Sequence, residues 1–75
     1  MTLGKHRIDG IILEVIKARS ATYFESLMIN AGYEMSGSAP AKGNRIKIWF
    51  KHSVYRRVEA IYSPDKRTVI TAYHV

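Results

Sequence analysis

No cysteine occurs anywhere in the chain. That excludes disulfides and thiolate zinc sites, and it makes a reducing cytoplasm the natural setting. Acidic residues are scarce as well: six Asp and Glu stand against twelve Lys and Arg, for a net charge of +6. Long apolar runs are missing. Ile11 to Ile16 is short and interrupted by Glu14, so no secretory leader is expected, and no stretch approaches the ~20 apolar residues of a membrane span. Tryptophan occurs once, at Trp49, and the 75 residues leave room for one domain, 1–75. A domain this small buries only about 60% of its unfolded-chain surface, so its stability is marginal.

The positive charge is unevenly placed. In residues 1–34, Lys5, Arg7, Lys17 and Arg19 are cancelled by Asp9, Glu14, Glu25 and Glu34. In residues 35–75, Lys42, Arg45, Lys47, Lys51, Arg56, Arg57, Lys66 and Arg67 face only Glu59 and Asp65. An excess confined to one half points to a polyanion or to an acidic protein surface as partner.

The most informative segment is Arg45-Ile46-Lys47-Ile48-Trp49-Phe50-Lys51-His52. Alternation with period two puts Arg45, Lys47, Trp49 and Lys51 on one side of a strand and Ile46, Ile48 and Phe50 on the other. The second set suits a buried sheet face. The first surrounds an indole with cations, a combination that stacks a base or sugar while ammonium groups hold phosphates. The same pattern is compatible with Trp49 as a core residue past which the lysines reach solvent.

A helical half is expected to precede a strand half. Ile8, Ile11, Ile12, Val15 and Ile16 follow the i, i+3, i+4, i+7, i+8 spacing of an amphipathic helix, expected over about 7–19. Thr22 and Glu25 have the spacing of a capping box for a second helix over about 22–31, with Phe24, Leu27, Met28 and Ala31 on its apolar face and Gly32 as its left-handed terminator. Residues 36–44 read as a loop, with Tyr33 to Met35 as a short strand before it. Strands are expected over about 45–52, 55–62 and 67–75, the last two joined at Ser63-Pro64-Asp65-Lys66. An odd hairpin loop would group Val58, Ala60, Ile70 and Ala72 on one face; an even loop would group Val58, Ala60, Val69 and Thr71. The expected fold is α+β, with two N-terminal helices on one face of a three- to four-stranded antiparallel sheet.

His6, His52 and His74 lack metal-ligand spacing, so neither a metal nor a cofactor is implied. Cleavage of RNA by 2′-OH attack needs an acid, a base and cations on the phosphate, and His52 and His74 with Lys51 and Arg56 have that chemistry. Lys42-Gly43-Asn44-Arg45 offers glycine-freed backbone N–H groups between cations, without P-loop spacing.

Residues 24–52 resemble the HicA family of toxin-antitoxin mRNA interferases through Leu27-Met28-Ile29-Asn30-Ala31-Gly32-Tyr33-Glu34, the Lys42-Gly43 turn and Trp49-Phe50-Lys51-His52. The resemblance implies a helix ending in Gly and an aromatic, leading into a three-stranded sheet similar to double-stranded RNA-binding domains. The family's catalytic histidine follows the Lys-Gly pair. Here Asn44-Arg45 stands in that place, and the family's C-terminal helix is replaced by Val69-Ile70-Thr71-Ala72-Tyr73-His74-Val75. That ending is similar to the terminal strands of colicin-like and RelE-like ribonuclease toxins.

The expected function is therefore RNA or other nucleic-acid binding through Lys42, Arg45, Lys47, Trp49, Lys51, Arg56 and Arg57, with a toxin-like ribonuclease using His52 and His74 as its catalytic extension. The alternative is a small inhibitor or adaptor of phage or mobile-element type that docks on an acidic surface of a host protein. The C-terminal strand is expected to offer an edge through which a partner, or a second copy in a homodimer, adds a strand.

Overall fold

A computed structural model describes residues 1–3, 6–12 and 18–75. Thr2–Leu3 (β1) and His6–Arg7 (β2) form a small antiparallel pair. Arg19–Ser20 (β3) leads into one helix, Ala21–Asn30 (α1), followed by Glu34–Pro40 (β4), Ile46–Lys51 (β5), Val58–Tyr62 (β6) and Thr68–His74 (β7). The last four form an antiparallel meander, and β3 pairs with β7, giving a five-stranded sheet in the order β3-β7-β6-β5-β4.

This corrects the expected pair of helices on three or four strands: among the described residues there is one helix of 10 residues on a five-stranded sheet. The helix expected over 7–19 is absent from its described first half. Ile8 N–H bonds to the Met1 carbonyl, Asp9 N–H bonds to His74 Nε2, and Gly10 takes φ +91°. A Cβ on Gly10 would lie 2.5 Å from Tyr55 Cε2, so the chain turns tightly against that ring. Ile8 is wholly buried and Ile12 fully exposed, so the isoleucine spacing does not mark one helical stripe. Val15 and Ile16 lie outside the described residues. Arg19, expected to close that helix, instead pairs with Val69.

The helix that forms begins two residues earlier than the capping box implied, because Ser20 is its cap: Ser20 Oγ accepts from Tyr23 N–H at 3.3 Å. Phe24 and Met28 are buried, and Leu27 and Ala31 pack against the same core. At the far end Gly32 N–H bonds to the Ile29 carbonyl and Tyr33 N–H to that of Met28, a Schellman closure that needs the left-handed φ of +94° at Gly32.

One sheet face carries the core. Phe50, Val58, Ala60, Tyr62, Val69 and Ala72 are buried there, with Ile46 and Ile48 packed alongside. Phe24 meets Phe50 and Tyr62 edge-on at 5.6 and 6.4 Å between ring centroids, and Leu3 and Ile8 complete the cluster. Tyr62 donates to Glu25 at 2.7 Å, and burial first, then that hydrogen bond, pushes its hydroxyl pKa upward.

Two irregularities change the expected layout. The segment read as a loop over 36–44 is mostly strand, since β4 runs to Pro40 with a bulge at Ser36, followed by a 3₁₀ turn at Lys42–Asn44. In β7, Ile61 pairs with Thr71 but Tyr62 with Val69, so a bulge at Ile70 puts Val69 and Ala72 on the core face together. Neither uniform register holds, because the bulge advances the alternation by one residue. The C-terminal strand is also not the free edge. β7 lies between β6 and β3, with β1 and β2 packed along its remainder, and the outer edge belongs to β4, blunted by its bulge and by Pro40.

Candidate nucleic-acid interface

Because Phe50, Ile46 and Ile48 turn to the core, Lys47, Trp49 and Lys51 turn to the other face of β5. Pairing with the neighbouring strands arranges that face in rows across the sheet. One row reads Gly37, Trp49, Glu59, Tyr73, and the next Ala39, Lys47, Ile61, Thr71. On the opposite flank Lys51 pairs with Glu34.

Trp49 is half-buried, neither a core residue nor a free one. Its Nε1–H donates to Glu59 Oε1 at 2.9 Å, while a Cβ on Gly37 would meet its six-membered ring at 3.4 Å. The indole therefore spans from β4 to β6, and glycine at 37 leaves room for it. The Arg57 guanidinium lies 5.5 Å from the ring centroid, within cation–π range. Across the same row the Tyr73 hydroxyl donates to Glu59 Oε2, and His6 meets the Tyr73 ring edge-on at 5.2 Å.

These donors control the charge of the row. The Tyr73 hydrogen bond first, then that of Trp49 and the charges of Lys47 and Arg57, hold the Glu59 carboxyl below its ordinary pKa range, against the opposing effect of burial. Reciprocally, the hydrogen bond to Glu59 raises the Tyr73 hydroxyl to about 12.

Of the seven residues singled out by sequence, Lys47, Trp49, Lys51 and Arg57 share this face. Arg45 continues β5 beyond its end, and Lys42 is exposed in the 3₁₀ turn, where Gly43 and Asn44 both take positive φ. Lys51 Nζ sits 3.7 Å from Glu34 Oε2, but both side chains are more than half exposed, so the pair holds lysine only weakly. Arg56 stands apart: its carbonyl accepts from the ring of His74, and among the described residues no hydrogen bond or ion pair ties its side chain to the Trp49 row.

The histidines divide differently from the sequence expectation. His52 Nε2 lies 2.8 Å from the Ala31 carbonyl, and its Nδ1 accepts from Val54 N–H at 2.9 Å. His74 Nδ1 lies 2.8 Å from the Arg56 carbonyl, and its Nε2 accepts from Asp9 N–H at 3.0 Å. In each ring the carbonyl partner assigns the N–H and the amide assigns the lone pair, so both nitrogens are occupied by backbone. Tyr33 links the two, stacking edge-on against His52 at 4.6 Å and donating to the Asp9 carbonyl at 2.6 Å. Its hydroxyl is raised to about 12, by burial first and then by Asp9 and Tyr55. Tyr33 and His74 fasten the segment after β2 to the sheet through Asp9, and His52 ties the end of α1 to the turn after β5. His6 is the histidine beside Trp49's row.

Glu59, Tyr73 and His6 were not singled out by sequence. Alternation over Val58 to Tyr62 does place Glu59 opposite the core, and the odd hairpin register, with Ala72 inward, would place Tyr73 beside it; deciding for that register over the even one requires the bulge at Ile70, and His6 requires the strand at His6–Arg7. Among the described residues no three His, Asp or Glu side chains converge as a metal site, and no helix is long and apolar enough to cross a membrane. Comparison with family models, characterised proteins and solved structures finds no match.

Proposed function

We propose that the protein is a small RNA-binding domain that uses the sheet face opposite α1. The observation carrying this reading is the placement of Trp49, half-buried and lying across the sheet, between Lys47 and Lys51 on β5 and against the Arg57 guanidinium. Phosphate contacts from Arg45, Lys47, Lys51 and Arg57 supply most of the affinity, with Lys42 extending the track past the strand end. A base stacks on the Trp49–Arg57 pair, since guanidinium planes and indoles both accept bases. The HicA-like and RelE-like resemblances point to the same class of partner. Catalysis by His52 and His74 is left out of this reading because backbone groups occupy both nitrogens of each ring.

The test is a salt titration of binding to labelled single-stranded RNA. Engagement of three or four of these cations gives a log–log slope of about −2 to −3, and Lys47→Ala lowers its magnitude by about 0.7. A flat salt response, or unchanged binding in a folded Trp49→Ala, contradicts the reading. Absence of RNA binding at low salt makes an acidic protein surface the partner to pursue.

A further inference from the structure

A carboxylate in the middle of a basic face opposes phosphate binding unless something other than phosphate sits over it. Glu59 is half-buried in the central row and fixed from both sides, with Oε1 taken by Trp49 Nε1–H and Oε2 by the Tyr73 hydroxyl. An ionised carboxylate has about four lone-pair sites, so each oxygen keeps one for a further donor. Both existing donors also lock the side chain's direction, which prepares it for a partner.

Resting on the RNA reading above, we propose that Glu59 reads a base: the face takes single-stranded RNA and selects guanine over Trp49. Guanine carries N1–H and the N2 amino group side by side on one edge, matching the two carboxylate oxygens. Uracil offers one N–H flanked by carbonyl oxygens that repel a carboxylate. Adenine and cytosine each place one amino donor beside an acceptor nitrogen. A duplex hides that edge and turns phosphates toward Glu59, so the fit is to an unpaired strand. Lys47 and Lys51, on either side of Trp49 along β5, hold the flanking phosphates.

The test compares uridine tracts carrying one central guanine, adenine or cytosine, the all-uridine tract, and a duplex of the guanine strand, by fluorescence anisotropy at one low salt. Wild type binds the guanine tract about tenfold tighter than the all-uridine tract, the discrimination a bidentate base contact gives, and tighter than the duplex. Glu59→Gln abolishes that preference, bringing the guanine tract level with the all-uridine tract, whereas Lys47→Ala weakens every strand alike and keeps the preference. Equal wild-type affinity for the four tracts overturns the proposal, and this comparison stands whether or not Glu59→Gln folds. A Glu59→Gln loss that is the same for every strand also overturns it, leaving Glu59 as a support for Trp49 and Tyr73. If no strand binds at low salt, the RNA reading fails as well.

Discussion

Trp49 is the residue on which the two possible readings of the sequence met, and it satisfies part of each. Alternation within 45–52 correctly separated it from Phe50, which is wholly buried. Its half-buried state depends on Glu59 across the strand pair and on the space over Gly37, neither of which local alternation contains. Glu59 gives a pH prediction. Its carboxyl pKa is depressed in the folded protein, so its contribution to stability is complete above the ordinary value of about 4.3 and is lost as pH falls through the lower folded value. Glu59→Gln should flatten the acid limb of a stability–pH profile measured by denaturant unfolding; an unchanged limb would show that the Trp49 and Tyr73 hydrogen bonds do not favour the charged form. Gly32 gives a second prediction. Alanine there meets both the left-handed backbone and His52 Nε2, 2.9 Å from the Cβ position. A loss of about 1–2 kcal/mol in unfolding free energy is expected, read as a lower denaturant midpoint at unchanged m-value.

At the scale of elements, legibility followed how local the determining forces are. The helix at Ala21–Asn30 and the strand at Ile46–Lys51 are set by their own caps and alternation, and both lie within or beside the expected segments. The first expected helix is absent from its described first half because hydrophobic spacing cannot report that Gly10 turns against Tyr55 or that Asp9 N–H bonds to His74, 65 residues away. The seven-residue strand β4 was hidden by its small residues and Pro40, which an edge strand tolerates because one side needs no partner. The β7 register depended on one bulge residue, Ile70, that neither face grouping anticipated. The packing of α1 on the sheet is centred on Phe24 and Phe50. Phe50→Ala should therefore cost about 3–5 kcal/mol, the range for removing a buried aromatic, measured by thermal or urea unfolding; a cost below 1 kcal/mol would mean the helix–sheet contact is not the centre of the core.

Across the whole molecule, the sheet separates two chemistries: α1 with Leu3 and Ile8 buries one face, while cations, Trp49 and Tyr73, edged by His6, occupy the other. The charge surplus of residues 35–75 was legible from composition, but its assembly into rows was not, because the rows join strands β4 to β7. The tyrosines predict how the assembly ends at high pH. Tyr33 and Tyr73 are raised to about 12, so their contributions are complete below the ordinary tyrosine value of about 10 and are lost as pH rises toward 12. Tyr33→Phe should flatten that alkaline limb, and an unaltered limb would count against its burial beside Asp9. The central claim, that the face opposite α1 meets RNA, is tested most directly by mapping amide and indole shifts of isotope-labelled protein on adding single-stranded RNA at low salt. The largest changes are expected at Lys47, the Trp49 indole N–H, Glu59 and Tyr73, with the exposed helix positions Thr22, Ser26 and Ile29 unmoved. Changes concentrated on those helix positions, with a silent Trp49 indole, would contradict the claim.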